Sequence, residues 1–147
     1  DENYNVELVI LGNIGEKKYE EILPQYEKDN IIKYMGGVSD VKIYLQQSHC
    51  LVHAAHSEGM SNVMLEAAAM GLPLIASNIP GCKEIIENGK NGYTFNVENE
   101  KDLYEKIIDF INLPYIEKKN MGLYSRKKVE NEFDREIVIN KYLEQIF

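Results

Sequence analysis

Residues 50–77 decide the fold, and they read CLVHAAHSEGMSNVMLEAAAMGLPLIAS. Residues 50–55 form a short, mostly apolar run of the length that a buried strand has. Residues 62–70 are rich in Ala, Leu and Met, follow a serine that can cap a helix and stop at Gly71, so they predict a helix. Residues 73–77 form another short apolar run. Strand, helix and strand in this order predict two parallel strands joined by a crossover helix.

The same alternation of short apolar runs and amphipathic segments continues on both sides of this stretch. Because short strands alternate with helices, the pattern predicts a parallel sheet with helices on both faces. The other elements predicted for the sheet region, in chain order, are a strand at 7–11, a helix at 16–30 that contains Pro24, a strand at 31–35, a helix capped by Ser39 or Asp40, a helix at 83–88 and a strand at 93–97.

The chain beyond residue 99 is predicted to be helical. Segments 100–112 and 114–132 have helical patterns, and a last helix begins after the capping residue Asp134. With 147 residues, 44% of them hydrophobic, the sequence is long enough for one compact domain and too short for two. We therefore predict a single α/β domain over residues 1–147, with a helical tail at about 100–147.

Charge and cysteine content exclude several classes of protein. The 16 Lys and Arg against 24 Asp and Glu give a formal net charge of -8, which argues against nucleic acid or an anionic membrane as the main partner. Cys50 and Cys82 are too few for a disulfide scaffold and lack metal-type spacing, which favours a reducing cytosol. No apolar run approaches the roughly 18 residues of a membrane-spanning helix.

Glu58 and Glu66 are the only charged residues in positions 43–82, where the average charge content of the chain would give about eleven. Glu58 precedes a glycine in the loop after a predicted strand, and Glu66 lies inside an otherwise apolar helix. A carboxylate in such a helix needs a hydrogen bond or a cleft, because burying it unpaired is costly. The alternatives are a solvated loop acid for Glu58 and a structural acid, tied to backbone or a cation, for Glu66.

Both acids are expected at the carboxyl edge of the sheet. Side chains on a helix lean toward its N-terminus, so Glu66 is expected to point back toward the loop that carries Glu58. Ligands of open α/β sheets bind at this edge, and a helix N-terminus there offers free N–H groups to phosphate. Gly59 lets the backbone approach a ligand closely, while Ser61 and Asn62 add short polar side chains.

The histidines do not complete a metal site. His49 and His53 share strand parity but lie four residues apart, which is too far for one ion, and no acid or cysteine completes a ligand set. His56 lies in the loop of the expected cleft and is a candidate ligand contact. Glu84 is interpreted as a structural cap or pairing residue.

Three segments together resemble the signature region of the family 4 retaining glycosyltransferases. They are HSEGMSNVMLEA at 56–67, GLPLIAS at 71–77 and GCKEIIENGKNG at 81–92. Enzymes of this family have the GT-B fold, and the resemblance covers the whole chain as most of their C-terminal, donor-binding half. It implies a Rossmann-like parallel sheet that lacks its first strand, which is the central one in this order.

The resemblance also implies roles for individual residues. Glu66 matches the acid that accepts hydrogen bonds from the ribose of a nucleotide sugar, and Glu58 matches the catalytic-site acid that contacts the transferred sugar. The family needs no divalent metal, because a helix dipole and cations stabilise the departing diphosphate. The other implied donor-binding positions are Gly59, Met60, Ser61 and Asn62 for the diphosphate and sugar, Gly37 and Val38 for the base, and His56 for the donor or acceptor.

Two departures from the family pattern affect what is expected. Ala54 and Ala55 stand where the family usually has Pro-Ser, a small loss of loop stiffness. The upstream strand that ends in Gly-Arg and is followed by a Lys is missing, and these cations neutralise the diphosphate in the family. Weak nucleotide affinity and an inactive isolated chain are therefore expected.

The function implied is binding of a nucleotide diphosphate sugar, with a UDP-sugar favoured, for transfer of a hexose to a glycan or lipid-linked acceptor. The missing N-terminal half would bind the acceptor, and any membrane association at the inner face of the cell membrane would come through the rest of the parent protein. The expected location is cytoplasmic. The alternatives are a non-catalytic nucleotide-binding or interaction module of flavodoxin-like topology and a sugar-nucleotide epimerase, which would need acid–base residues not found here.

Overall fold

The computed structural model describes residues 4–146, apart from the side chain at position 138. Residues 1–3 and 147 of the predicted domain lie outside this range. The chain divides between Val41 and Lys42 into two compact units, which are described separately.

The first unit contains a parallel pair of strands joined by a helix. Strand β1 (Leu8–Ile10) leads into helix α1 (Lys18–Lys28), which contains Pro24, and strand β2 (Ile32–Tyr34) follows. Each strand has three residues, and they pair in parallel. The Tyr34 hydroxyl donates a 2.7 Å hydrogen bond to the carbonyl of Gly12, which fixes the turn after β1.

The second unit begins with the short helix α2 (Lys42–Leu45), whose Leu45 is buried. A three-stranded parallel sheet follows, in the order β3 (Leu51–His53), β4 (Leu74–Ser77) and β5 (Gly92–Phe95). Helix α3 (Asn62–Ala69) connects β3 to β4. The strand–helix–strand unit predicted from residues 50–77 is therefore confirmed.

Helices cover both faces of this sheet. Ile75 and Phe95 form one buried cluster with Phe110 and Met121, and Val52 packs against it. Because side chains alternate along a strand, Leu74 and Ala76 face the other way. Helix α3 contacts β3 and β4. Its buried residues are Met64, Ala67 and Ala68.

The predicted helical tail is present. Helix α4 (Glu100–Asn112) occupies the predicted bounds, and the Asn99 side chain caps it by accepting a 3.0 Å hydrogen bond from the Asp102 amide. Helices α5 (Tyr115–Glu132) and α6 (Arg135–Ile146) follow. Helix α5 packs against α3.

The prediction that the strands pair in parallel is confirmed, and the prediction that they form one sheet is corrected. All the strand pairings are parallel, but they form a two-stranded ladder, β1–β2, and a three-stranded ladder, β3–β4–β5, within residues 4–146.

The helix predicted at 83–88 is wrong, because residues 80–85 form turns. The buried side chain of Asn91 accepts a hydrogen bond from the Glu87 amide at 2.7 Å and donates one to the Ile85 carbonyl at 2.9 Å. These bonds satisfy backbone groups that a helix would pair internally.

Helices long and apolar enough to cross a bilayer are absent from the described part of the chain.

Candidate functional site

The loop after β3 carries Glu58, and the side chain of Glu58 meets His53. The His53 Nε2 atom lies 3.1 Å from Glu58 Oε1, and the two side chains are 21% and 32% exposed. An ionised carboxylate can only accept, so His53 donates from Nε2 in this pair. His53 was considered only as a metal ligand in the sequence, and the structure gives it a different neighbour.

Gly81 holds the backbone of this loop. Gly81 has φ +84°, and a Cβ there would lie 2.6 Å from the carbonyl oxygen of Gly59 and 2.8 Å from that of Glu58. The Gly81 carbonyl also accepts a 3.1 Å hydrogen bond from the Ser61 amide. Only glycine, which has no side chain, allows this approach, so the backbone of the Glu58 loop packs directly against the backbone of the turn at 80–85.

Glu84 closes the turn that presents Gly81. Its Oε2 atom accepts a 2.8 Å hydrogen bond from the Gly81 amide, which confirms the structural role predicted for Glu84. Burial, with the nearby charges of Glu58 and Glu84, raises the pKa of the Cys82 thiol above its ordinary value. Cys82 is fully buried and is not a reactive thiol.

The N-terminus of α3 follows the Glu58 loop directly. Ser61 is the N-cap residue, as predicted, but its side chain makes no capping bond. Ser61 is 1% exposed, and its buried Oγ has no hydrogen-bond partner within residues 4–146. The first turn of α3 contains no acidic residue, so no acid of its own offsets the partial positive charge of the helix end.

The other residues expected at the N-terminus of α3 are more accessible than Ser61. Gly59, Met60 and Asn62 are exposed, and a Cβ added at Gly59 would meet open space. Backbone and side chains are therefore accessible directly before α3.

Glu66 is an exposed residue of α3. The buried residues of α3 lie on its other side, and Glu66 projects from the solvent side of the same helix. Within the described residues its carboxylate has no hydrogen bond or ion pair, and the paired structural acid considered for it is not observed. Glu58 bonds to His53, and no hydrogen bond joins Glu58 to Glu66 in this range.

Gly37 and Val38 follow β2 in the first compact unit, whereas residues 56–66 belong to the second. The turn before Gly37 is tied to the turn after β1, since the Gly12 amide donates a 2.8 Å hydrogen bond to the Gly36 carbonyl. The Asn13 side chain lies against Gly37, where it would meet an added Cβ. Gly37 is exposed.

His56 lines a separate cleft of about 170 Å³ beyond the carboxyl ends of β3, β4 and β5. Its Nδ1 atom lies 3.7 Å from Glu98 Oε1, and both side chains are more than two thirds exposed. None of the other predicted site residues lines this cleft, which is completed by Ala54, Ala55, Ser77, Phe95, Val97, Asn99, Glu100 and Leu103.

Groups of three or more His, Cys, Asp or Glu placed to hold a metal ion do not occur among the described residues.

His53 and Gly81 are the structural partners of the Glu58 loop, and Glu84 holds Gly81; little in the sequence indicates these contacts. A polar residue ending an apolar strand was the available signal for His53. Gly81 and Glu84 belong to the quoted signature, but Gly81 packs against Glu58 and Gly59, which lie more than twenty positions upstream, and spacing alone does not reveal such a contact.

Parallel strands joined by helices, with a polar loop beyond the carboxyl end of a strand, are the architecture of an α/β ligand-binding domain. The chain belongs to the family of group 1 glycosyl transferases, whose family model matches residues 1–128.

Two curated relatives illustrate the membership. The chain is 31% identical over 140 residues to the capsular polysaccharide biosynthesis glycosyltransferase CapM of Staphylococcus aureus, covering 92% of this chain and 36% of CapM. It is 32% identical over 119 residues to spore coat protein SA of Bacillus subtilis, covering 79% of this chain and 31% of that protein. The chain thus spans about a third of the length of these relatives.

The fold is similar to that of HepE from Anabaena, whose structure was solved in complex with UDP. The TM-score is 0.84 at 21% identity, over 96% of this chain and 40% of HepE. At this identity the likeness shows the fold, which agrees with the predicted C-terminal half of a GT-B protein.

Proposed function

We propose that this chain is the donor-binding part of a retaining glycosyltransferase that transfers a hexose from a nucleotide diphosphate sugar to a glycan or lipid-linked acceptor. The observation that carries the proposal is the Glu58 loop and the α3 N-terminus, held together by Gly81. The Glu58 carboxylate can accept hydrogen bonds from sugar hydroxyls, and the N-terminus of α3, four residues further on at Asn62, can bind phosphate.

The N-terminus of α3 suits an anionic ligand because its first turn contains no acidic residue. The first turns of α1 and α4 carry acidic residues, whereas that of α3 has none. The diphosphate would lie at the exposed backbone of Gly59 and Met60, with Ser61 and Asn62 beside it. Free N–H groups there would stabilise the departing diphosphate without a divalent metal.

The two acids would bind different hydroxyls of the donor. Glu66 is exposed and has no partner within the described residues, so its carboxylate is free to accept hydrogen bonds from the ribose. Glu58 would contact the transferred sugar, with Oε1 on His53 and Oε2 available. His56 would contact donor or acceptor.

In the proposed reaction the bond between the sugar C1 and the diphosphate oxygen breaks, and the acceptor hydroxyl oxygen forms a new bond to C1 with the same configuration. The acceptor proton leaves with the diphosphate. The chain's own residues bind and orient the donor and offset the charge that develops on the leaving group.

A UDP-sugar is the proposed donor, since HepE was crystallised with UDP and with UDP-glucose. The acceptor would bind to another part of a longer protein, in keeping with the third of the relatives that this chain spans. A role in polysaccharide synthesis fits the name of the relative CapM. We propose further that this role lies at the cytoplasmic side of the cell, with any membrane attachment through that other part. The isolated chain is proposed to be inactive in transfer.

Titration of the 147-residue chain with UDP, GDP and ADP, followed by amide NMR, tests this proposal. We expect shifts clustered at 59–62 and around Glu66, with reduced affinity in Glu66→Gln. Glu117→Gln, an exposed carboxylate on α5, is the control and should bind like wild type. Nucleotide shifts that are scattered over the surface, or that persist unchanged in Glu66→Gln, would overturn the ribose role.

A further inference from the structure

His53 is fixed in the sheet, whereas Glu58 lies in a loop. His53 is the last residue of β3 and pairs with Ala76 of β4 in the parallel ladder. Its neighbour Val52 packs into the cluster around Ile75, so alternation directs His53 to the opposite face. Pairing with β4 and the packing of Val52 in the core restrain the backbone of His53. The imidazole therefore projects from a rigid element.

The carboxylate of Glu58 depends on His53 for its orientation. Gly81 restrains the backbone of Glu58 and Gly59, but a glutamate retains three rotatable side-chain bonds. Within residues 4–146, the hydrogen bond to His53 is the contact that holds the Glu58 carboxylate. It occupies Oε1 and leaves Oε2 without a protein partner.

We propose that His53 is a positioning residue for the transferred sugar: its Nε2–H holds the Glu58 carboxylate so that Oε2 can accept a hydroxyl of the donor's sugar. This inference rests on the sugar-binding role proposed for Glu58. A hydrogen-bond donor on a rigid strand can hold a loop carboxylate in one orientation, which preorganises the contact of that carboxylate with a ligand. The pair is partly buried, which strengthens its hydrogen bond relative to one in open water.

A purely structural pair would behave differently. Its loss would lower the stability of the chain and would weaken the binding of UDP and UDP-glucose by the same factor. A positioning role predicts instead that the loss falls on the ligand that carries the sugar.

The experiment compares the dissociation constants of UDP and UDP-glucose for the full 147-residue chain. We expect His53→Leu to weaken UDP-glucose binding by about 3- to 10-fold, the range of one lost hydrogen bond, and UDP binding by less than about 2-fold. His53→Gln keeps an N–H donor near the same position and should restore more than half of the loss. His49→Gln, an exposed histidine before β3, is the matched control and should change neither constant.

Glu58→Gln separates the failure of this inference from the failure of the proposed function. A selective loss in Glu58→Gln with none in His53→Leu overturns the role of His53 and leaves that of Glu58 intact. No selective loss in Glu58→Gln overturns the sugar-binding role and the inference with it. If the wild-type chain binds neither ligand at millimolar concentration, both proposals are wrong.

A spectroscopic readout checks the geometry independently of binding. The His53 ring should show a protonated Nε2 in ¹H–¹⁵N spectra of the wild-type chain, and this signal should change in Glu58→Gln. An Nε2 without a proton in the wild-type chain would contradict the donation on which the inference depends.

Discussion

Gly122 of α5 lies directly against the carbonyl oxygen of Gly71, the residue after the C-cap of α3, so that a Cβ at position 122 would overlap this oxygen. Gly122 is buried within its helix. The absence of a side chain here allows α5 to approach the helix whose N-terminus forms part of the proposed site.

Gly122→Ala should therefore separate α5 from α3. We expect the free energy of unfolding, measured by urea denaturation, to fall by about 1–3 kcal/mol, the usual cost of overpacking. Gly15→Ala is the control, because a Cβ at Gly15 meets open space. Equal stability of the two variants would show that α5 can shift without cost.

Gly81→Ala tests the backbone contact between the two loops. Gly89→Ala is a matched control, because Gly89 also has a positive φ, +78°, but open space around the added Cβ. The left-handed conformation alone should cost about 1–2 kcal/mol in either variant. Gly81→Ala should cost more and should also shift the amide signals of Gly59 and Ser61. Identical stabilities and an unmoved Ser61 amide would contradict the contact.

Ser61→Ala removes a buried hydroxyl that has no partner within the described residues. Because no capping bond is lost, we expect the free energy of unfolding to stay within about 0.5 kcal/mol of the wild-type value or to rise. Asn99→Ala is the comparison, since Asn99 does cap α4 and its loss should cost about 1 kcal/mol. A cost at Ser61 as large as that at Asn99 would indicate a partner that the structure does not contain.

Glu87 should make stability depend on pH in the acid range. Hydrogen bonds from Lys90 and then from Tyr124, whose hydroxyl lies 2.5 Å from Oε2, hold the pKa of Glu87 below 4.5. Since the folded-state pKa is the lower one, this contribution is present above pH 4.5 and is lost as the pH falls below it.

Glu87→Gln should therefore be less stable than wild type at neutral pH, with a difference that shrinks toward acid pH in urea denaturation. Glu117→Gln, an exposed carboxylate on α5, provides the baseline for an ordinary acid. A difference that stays constant down to pH 3 would show that Glu87 acts through packing and not through its charge.

Much of the fold was predictable, because its signals are local in the sequence. Gly71 marks the end of α3, and Asn99 marks the start of α4 at the predicted residue. The parallel class followed from the alternation of short apolar runs with helices. The turn at 80–85 was not predictable, because the buried Asn91 side chain, several positions downstream, supplies hydrogen bonds that replace those of a helix.

The candidate site was predictable in its loop and less so in its contacts. The composition of α3 did not reveal which side is buried, since alanine and leucine occur on several sides of the helix. The sequence therefore did not indicate that Glu66 lies exposed and without a hydrogen bond within the described residues. The His53–Glu58 pair depends on how the loop returns past the end of β3, a tertiary feature that residue spacing does not encode.

The approach of Gly81 to Glu58 and Gly59 has a practical consequence for protein engineering. Segments 56–62 and 79–84 are separated in sequence, yet their backbones pack directly on each other and share the hydrogen bond from the Ser61 amide to the Gly81 carbonyl. A loop transplanted between relatives should therefore include both segments. An exchange of segment 56–62 alone would pack a new loop against a turn at 79–84 that fits the original loop.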